Sequence, residues 1–108
     1  MSEAVDRLFQ QIIAVRDGAA LHPRTARLMQ DGMAKMAKKV SEEAIEVSLD
    51  AVRNDREAVV LESADLIYNL CVLWAASGLS PADIWAEMDR RERLYGIAEK
   101  LPKSPSRE

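Results

Sequence analysis

Cysteine, histidine, glycine, proline and aromatic side chains are all scarce in this chain of 108 residues. It contains one cysteine, one histidine, four glycines, four prolines and 5% aromatic residues. The single cysteine, Cys71, cannot form an internal disulfide, so we interpret it as a small core residue of a protein in a reducing compartment. Few glycines and prolines beside plentiful Ala, Leu, Val and Met favour helices. No strand-period alternation is present, which argues against a β-sheet fold.

The charge balance and the N-terminal residues restrict the class of protein further. The net charge of −3 gives no broad basic field, so nucleic acid is not an expected partner. A hydrophobic content of 48% excludes a largely disordered chain. Residues 1–6 lack a basic region followed by an apolar stretch, so we expect no secretory signal and a cytoplasmic location.

Capping residues and helix breakers divide the chain into helices. We predict helices at about 2–17, 24–30, 33–52, 55–77 and 81–96, with caps at Ser2, Asn54 and Ser80. Gly18 and Gly78 are predicted to end the first and fourth of these helices. The expected fold class is all-α, a bundle of four to five helices forming one domain over residues 1–101. Residues 102–108 are predicted to be a disordered tail.

The segment at residues 58–76 is almost uniformly apolar, with Glu62 and Asp65 as its only charged residues. Its length would suit a membrane span, but each central carboxylate costs about 2.5–3.5 kcal/mol on insertion scales. We therefore predict the central helix of a bundle and no membrane. A chain of this size can hardly surround such a helix alone. We expect a homodimer, or a higher homo-oligomer, to complete the core.

Two acidic pairs at three-residue spacing are the most informative motif. Glu43 and Glu46 share one helix face, as do Glu62 and Asp65, with about 5–6 Å between Cβ atoms. Asn54 lies midway between Glu46 and Glu62, and also midway between Glu43 and Asp65. A helical hairpin centred there would pair Glu46 with Glu62 and Glu43 with Asp65. Four carboxylates would then share one small volume.

Such crowding predicts a bound cation. Two like charges 5 Å apart repel by about 3 kcal/mol at an effective dielectric constant near 20. Lys35, Lys38 and Lys39 reach only one edge of the predicted groove, and His22, the one histidine, precedes it. Ligands that are all oxygen favour Mg²⁺ or Mn²⁺. The competing interpretation is a solvated acidic face in a non-catalytic helical dimer module, in which the acids pair with lysines.

The two-part acidic motif also resembles a known family signature. The segments Glu42-Glu43-Ala44-Ile45-Glu46 and Glu62-Ser63-Ala64-Asp65 are similar to the signature of the MazG-like, all-α nucleotide pyrophosphohydrolases. The flanking residues, over about 4–91, resemble the phosphoribosyl-ATP pyrophosphohydrolases, which catalyse the second step of histidine biosynthesis. Three stretches depart from that family pattern: Ser41 replaces a usual glycine, Pro23-Arg24-Thr25 replaces Ser-Tyr-Thr, and Asn69 replaces a common histidine.

The resemblance implies a site and a reaction. It implies Mg²⁺ ligands, with Mn²⁺ as a substitute, at Glu43, Glu46, Glu62 and Asp65. Glu42 is implied as a further ligand or as the group that orients the attacking water. Lys39 is a candidate phosphate contact, and Lys35, Arg24 and Asn69 are candidate substrate contacts. The implied reaction cleaves phosphoribosyl-ATP between its α- and β-phosphates, giving phosphoribosyl-AMP and pyrophosphate.

Two alternatives retain catalysis or metal binding. The first is a broader MazG-like enzyme that hydrolyses nucleoside or deoxynucleoside triphosphates at the same acidic site. The second is a ferritin-like di-metal bundle, which would use Glu-x-x-His pairs. Neither acidic pair in this chain ends in histidine, so the ferritin-like interpretation is the weaker one.

Overall fold

The computed structural model describes residues 3–95, which form five helices and, within that range, no strand. The helices are α1 (Glu3–Arg16), α2 (Pro23–Asp31), α3 (Met33–Val52), α4 (Arg56–Ala76) and α5 (Pro81–Tyr95). The predicted all-α class is confirmed. The predicted cap at Ser2, the end of the last helix near residue 96 and the tail at 102–108 lie outside the described residues.

The α3–α4 hairpin is the largest helix–helix interface in the described chain. Its turn begins at Arg53 and reverses the backbone at Asn54, which adopts a left-handed φ of 59°. Asparagine tolerates this conformation better than most residues. Asp55, rather than the predicted Asn54, caps α4, because its side-chain oxygen accepts the Ala58 N–H at 3.1 Å. The predicted cap was therefore one residue too early.

Helices α1, α2 and α4 enclose the core beside this hairpin. Helix α1 supplies Phe9 and Ile12, which pack with Leu28 of α2 and with Met36 of α3. Cys71 of α4 is fully buried in the same cluster, as predicted, and burial raises the pKa of its thiol to about 11. This core holds one face of α4 against the rest of the chain.

Several apolar side chains of α4 are uncovered in the single chain. Val60 and Leu61 are 68% and 62% exposed, and Ile67 is 42% exposed. Val52, at the end of α3, is 86% exposed beside the turn. Among the described helices, α4 alone has the length and apolar composition of a membrane span. A soluble core helix passes the same test, so this finding alone decides nothing about a membrane.

Candidate metal centre

The site lies where the middle of α3 faces the first half of α4. Glu43 projects from α3, and Glu62 and Asp65 project from α4, one turn apart. One carboxylate oxygen from each residue lies within 4.8 Å of the other two. All three side chains are only partly exposed. The hairpin thus brings together three of the four predicted ligands.

Glu46, the fourth predicted ligand, is exposed and lies outside this three-residue group. Three residues advance a helix by about 300°, so Glu46 is turned about 60° away from Glu43 on α3. The same spacing separates Glu62 from Asp65, so the position of Glu46 outside the group follows from how α3 is rotated toward α4 and not from the spacing itself. Across the hairpin, a Glu62 carboxylate oxygen lies within 4.8 Å of one from Glu43, whereas the spacing around Asn54 predicted Glu46 as its partner. The chain therefore pairs across the turn in a slightly different register from the one predicted.

Asp50 is an acidic neighbour that the sequence interpretation did not include among the ligands. Seven residues separate it from Glu43, so the two side chains differ in direction by only about 20°. Asp50 is 9% exposed, and its charge contributes to the perturbation of Glu62. The heptad spacing from Glu43 was the sequence signal that would have found it.

Crowding of the carboxylates changes the protonation of Glu62. The pKa of Glu62 is raised from 4.5 to about 7, first because its protonated form hydrogen-bonds the Glu43 carboxylate. Burial and the negative charges of Glu43, Asp65 and Asp50 raise the pKa further. A shared proton is one way to relieve repulsion among these groups, and a divalent cation is another.

The donor set suits a hard divalent cation. The three gathered residues offer carboxylate oxygens only, without a thiolate or an imidazole. Such ligands favour Mg²⁺ or Mn²⁺ over zinc or copper. Magnesium keeps several waters and commonly binds through one or two carboxylates together with substrate phosphates, so these carboxylates are of the type that this ion uses.

The cationic candidates occupy two sides of the acidic group. Lys39 Nζ lies 3.8 Å from Glu43 Oε1, within α3, and its side chain is 29% exposed. Arg24 Nη1 of α2 lies 3.7 Å from Asp65 Oδ1. Lys35 is exposed one turn before Lys39. A phosphate bound beside the carboxylates would therefore find a positive charge on either flank.

The two remaining candidates differ in exposure. Glu42 is exposed next to Glu43. Asn69 is 1% exposed, and its side-chain amide donates to the Asp65 backbone carbonyl at 2.9 Å. In this arrangement Asn69 stabilises the turn of α4 that presents Asp65, and it lies beneath the site.

Tyr68 and Thr25 are site neighbours that the sequence interpretation did not select. The Tyr68 ring lies under the Arg24 guanidinium, and 4.3 Å separates the ring centroid from Arg24 Cζ. The Tyr68 hydroxyl bonds the Thr25 hydroxyl at 2.5 Å. Tyr68 follows Asp65 by three residues, which places both on one face of α4. That spacing was an available signal for Tyr68, whereas the contact with α2 required the fold.

Five helices with three carboxylates gathered between two antiparallel members define an all-α protein with a candidate divalent-cation centre. The family model described as phosphoribosyl-ATP pyrophosphohydrolase (PRA-PH) matches residues 7–92. The chain therefore belongs to the phosphoribosyl-ATP pyrophosphohydrolase family, and the resemblance drawn from the acidic motif is confirmed.

Individual relatives agree with this assignment. Phosphoribosyl-ATP pyrophosphatase 2 of Rhodopseudomonas palustris is 62% identical over 104 residues, which cover 96% of this chain and 79% of that protein. Phosphoribosyl-ATP pyrophosphatase 2 of Bradyrhizobium diazoefficiens is 60% identical over 96% of this chain and 78% of its own length. Phosphoribosyl-ATP pyrophosphatase of Azospirillum brasilense is 47% identical over 89% of this chain and 86% of its own length.

Proposed function

We propose that this protein hydrolyses phosphoribosyl-ATP to phosphoribosyl-AMP and pyrophosphate in histidine biosynthesis, with Mg²⁺ as cofactor and Mn²⁺ as a substitute. The observation that carries the proposal is the group formed by Glu43, Glu62 and Asp65, which lies within the stretch matched by the family model. The names of the relatives supply the substrate. A cytoplasmic location is proposed with it, consistent with one buried, unpaired cysteine.

In this proposal the acidic residues hold and orient the reacting groups. Glu43, Glu62 and Asp65 would bind the cation, and Glu46 would join them from its exposed position one turn along α3. A bound Mg²⁺ lowers the pKa of its water and offsets charge on phosphate oxygens. Glu42, exposed beside Glu43, would orient the attacking water or add a further ligand.

Lys39 is assigned to the phosphates. Its ammonium group already lies beside Glu43, so it would contact a phosphate oxygen bound at that carboxylate. Lys35, one turn earlier on the same face of α3, would extend this positive edge along the polyphosphate chain. Both lysines act as point charges, which suits a flexible polyphosphate.

Pyrophosphate release across a substrate panel tests the proposed reaction. We expect turnover of phosphoribosyl-ATP that requires Mg²⁺ and is abolished in Glu62→Gln and Asp65→Asn. Glu57→Gln, an exposed acid on the same helix, is the matched control and should retain activity. Turnover of dCTP or dUTP without turnover of phosphoribosyl-ATP would instead establish the broader triphosphate pyrophosphohydrolase. Full activity in Glu62→Gln would remove the acidic site from the mechanism.

We also propose that a second copy of this chain covers the exposed apolar residues of α4. Val60, Leu61 and Ile67 form an apolar surface on the helix that carries Glu62 and Asp65. A lipid bilayer is an unfavourable environment for this helix, because placing the Glu62 or Asp65 carboxylate at the centre of a membrane costs about 2.5–3.5 kcal/mol each. Sedimentation equilibrium should report a dimer or higher oligomer in detergent-free buffer. Val60→Lys should shift it toward monomer, whereas a wild-type monomer at micromolar concentration would contradict the proposal.

A further inference from the structure

Arg24 stands at the border between the acidic group and a neighbouring cavity. Its guanidinium lies over the Tyr68 ring at 4.3 Å, and its Nη1 lies 3.7 Å from Asp65 Oδ1. It thus touches a carboxylate of the candidate metal centre from α2, outside the α3–α4 hairpin.

The two contacts of Arg24 differ in strength. The platform beneath it is fixed, because the Tyr68 hydroxyl bonds Thr25, which is only 4% exposed. The contact with Asp65 is longer than a hydrogen bond, and the side chains of Arg24 and Asp65 are 55% and 45% exposed. Exposed ion pairs of this kind contribute little to stability. The guanidinium is therefore held over the ring but is free to exchange its anionic partner.

The cavity lies between α1, α2 and the Tyr68 turn of α4. Its volume is about 330 Å³, and its walls include Leu8, Ile12 and Pro23. Gln11 and His22 supply polar groups, with His22 Nε2 2.9 Å from Gln11 Oε1. Among the described residues that line it, Arg24 is the only lysine or arginine. Apolar walls with a few hydrogen-bonding groups suit a nucleoside, and the size falls within the range of small-molecule sites.

We propose that Arg24 transfers from Asp65 to a substrate phosphate when the metal centre is filled, and that the adjoining cavity takes the nucleoside. The inference rests on the proposed function, which places the polyphosphate at the acidic group. Arg24 lies between that group and the cavity, so its partner is the phosphate nearest the nucleoside. Asp65 bound to a divalent cation no longer attracts the guanidinium, while the planar guanidinium matches two phosphate oxygens.

Opposite changes in two binding constants test this exchange. Arg24→Gln removes a charge that competes for Asp65, so Mg²⁺ alone should bind about two- to fivefold more tightly in calorimetric titration. The same variant should bind α,β-methylene-ATP in saturating Mg²⁺ about tenfold more weakly, because a charge-assisted contact is lost. Arg24→Lys keeps the charge without the planar group and should recover part of the nucleotide affinity.

Arg27→Gln is the matched control, since Arg27 is exposed on the same helix and the substitution changes the charge equally. It should alter neither constant. Weakening of both constants in Arg24→Gln would indicate a structural role and overturn the inference. Unchanged affinity for α,β-methylene-ATP would overturn it as well.

These experiments distinguish a failure of the inference about Arg24 from a failure of the proposed function. Wild-type protein that fails to release pyrophosphate from phosphoribosyl-ATP rejects that function, whereas the two binding constants still report on Arg24. Wild-type protein that hydrolyses phosphoribosyl-ATP, with an Arg24→Gln variant of unchanged KM, retains the function and rejects the role of Arg24. A raised KM in the Arg24→Gln variant, with an unchanged melting temperature, supports both the proposed function and the role of Arg24.

Discussion

Competition between a proton and a divalent cation at Glu62 gives the sharpest prediction. The pKa of Glu62 is about 7 in the metal-free protein, above its ordinary value of 4.5, chiefly because its protonated form hydrogen-bonds Glu43. A carboxylate must lose its proton to bind a metal ion. Mg²⁺ binding near neutral pH therefore requires release of the proton that these two residues share.

The titration fixes the size of the effect. With a pKa near 7, Glu62 is about 9% ionised at pH 6, about 50% at pH 7 and about 91% at pH 8. The apparent affinity for Mg²⁺ should thus rise about tenfold between pH 6 and pH 8 from this group alone. About half a proton should be released per Mg²⁺ bound at pH 7.

The free energy of unfolding of the metal-free protein should fall over the same pH interval in which the Mg²⁺ affinity rises. Because the folded-state pKa of Glu62 lies above its unfolded value, the folded state binds the proton more tightly. The resulting stabilisation is fully present below about pH 4.5 and is lost as the pH rises through about 7. Millimolar Mg²⁺ should restore the loss, since it binds the native state.

Calorimetric titrations of Mg²⁺ at pH 6, 7 and 8 measure the apparent affinity. Repeating them in two buffers of different ionisation enthalpy measures the number of protons released per Mg²⁺ bound. Glu62→Gln should abolish the pH dependence, because its amide donates to Glu43 as the protonated acid does. That variant should also melt higher than wild type at pH 8 without Mg²⁺. Glu57→Gln should behave as wild type. A flat Mg²⁺ affinity from pH 6 to pH 8 would refute the shared proton.

Three further predictions concern other residues of the hairpin and its neighbours. Asp55→Ala removes the cap of α4 and should lower the free energy of unfolding by about 1 kcal/mol in urea titration, whereas no loss would contradict the cap. Asp50→Asn should lower the pKa of Glu62, so the pH midpoint of Mg²⁺ binding should fall below 7; an unmoved midpoint would show that Asp50 faces elsewhere. Tyr68→Phe leaves the buried Thr25 hydroxyl unpaired and should cost about 1–3 kcal/mol, measured by thermal unfolding, and a stable variant would argue against that bond.

The fold was predictable from the sequence because the helix signals agree with one another. The predicted bounds of α3 match those observed at Met33 and Val52. The cap of α4 was misassigned because Asn54 and Asp55 are both good capping residues. The backbone decides between them, since reversing the chain requires a left-handed residue, and Asn54 takes that position. Local propensity alone does not contain this information.

The candidate site was predictable in composition but not in register. Helical spacing, together with a hairpin centred on Asn54, predicted that Glu43, Glu62 and Asp65 would lie together. Which α3 carboxylate faces which α4 carboxylate depends on the geometry of the turn. A difference of one residue there rotates a helix by about 100°, so the length of the turn decides which α3 carboxylates face α4. The contacts of Arg24 join distant segments, and spacing within one helix cannot locate such contacts.

Residues 53–55, the short connection between α3 and α4, consequently govern chemistry that takes place several turns away. Adding or deleting a single amino acid there would leave every carboxylate in the chain and both helices intact. It would nevertheless swing Glu43 out of reach of Glu62. We therefore expect length variation that a surface loop normally tolerates to disrupt the acidic group at this turn, even where the fold itself remains stable.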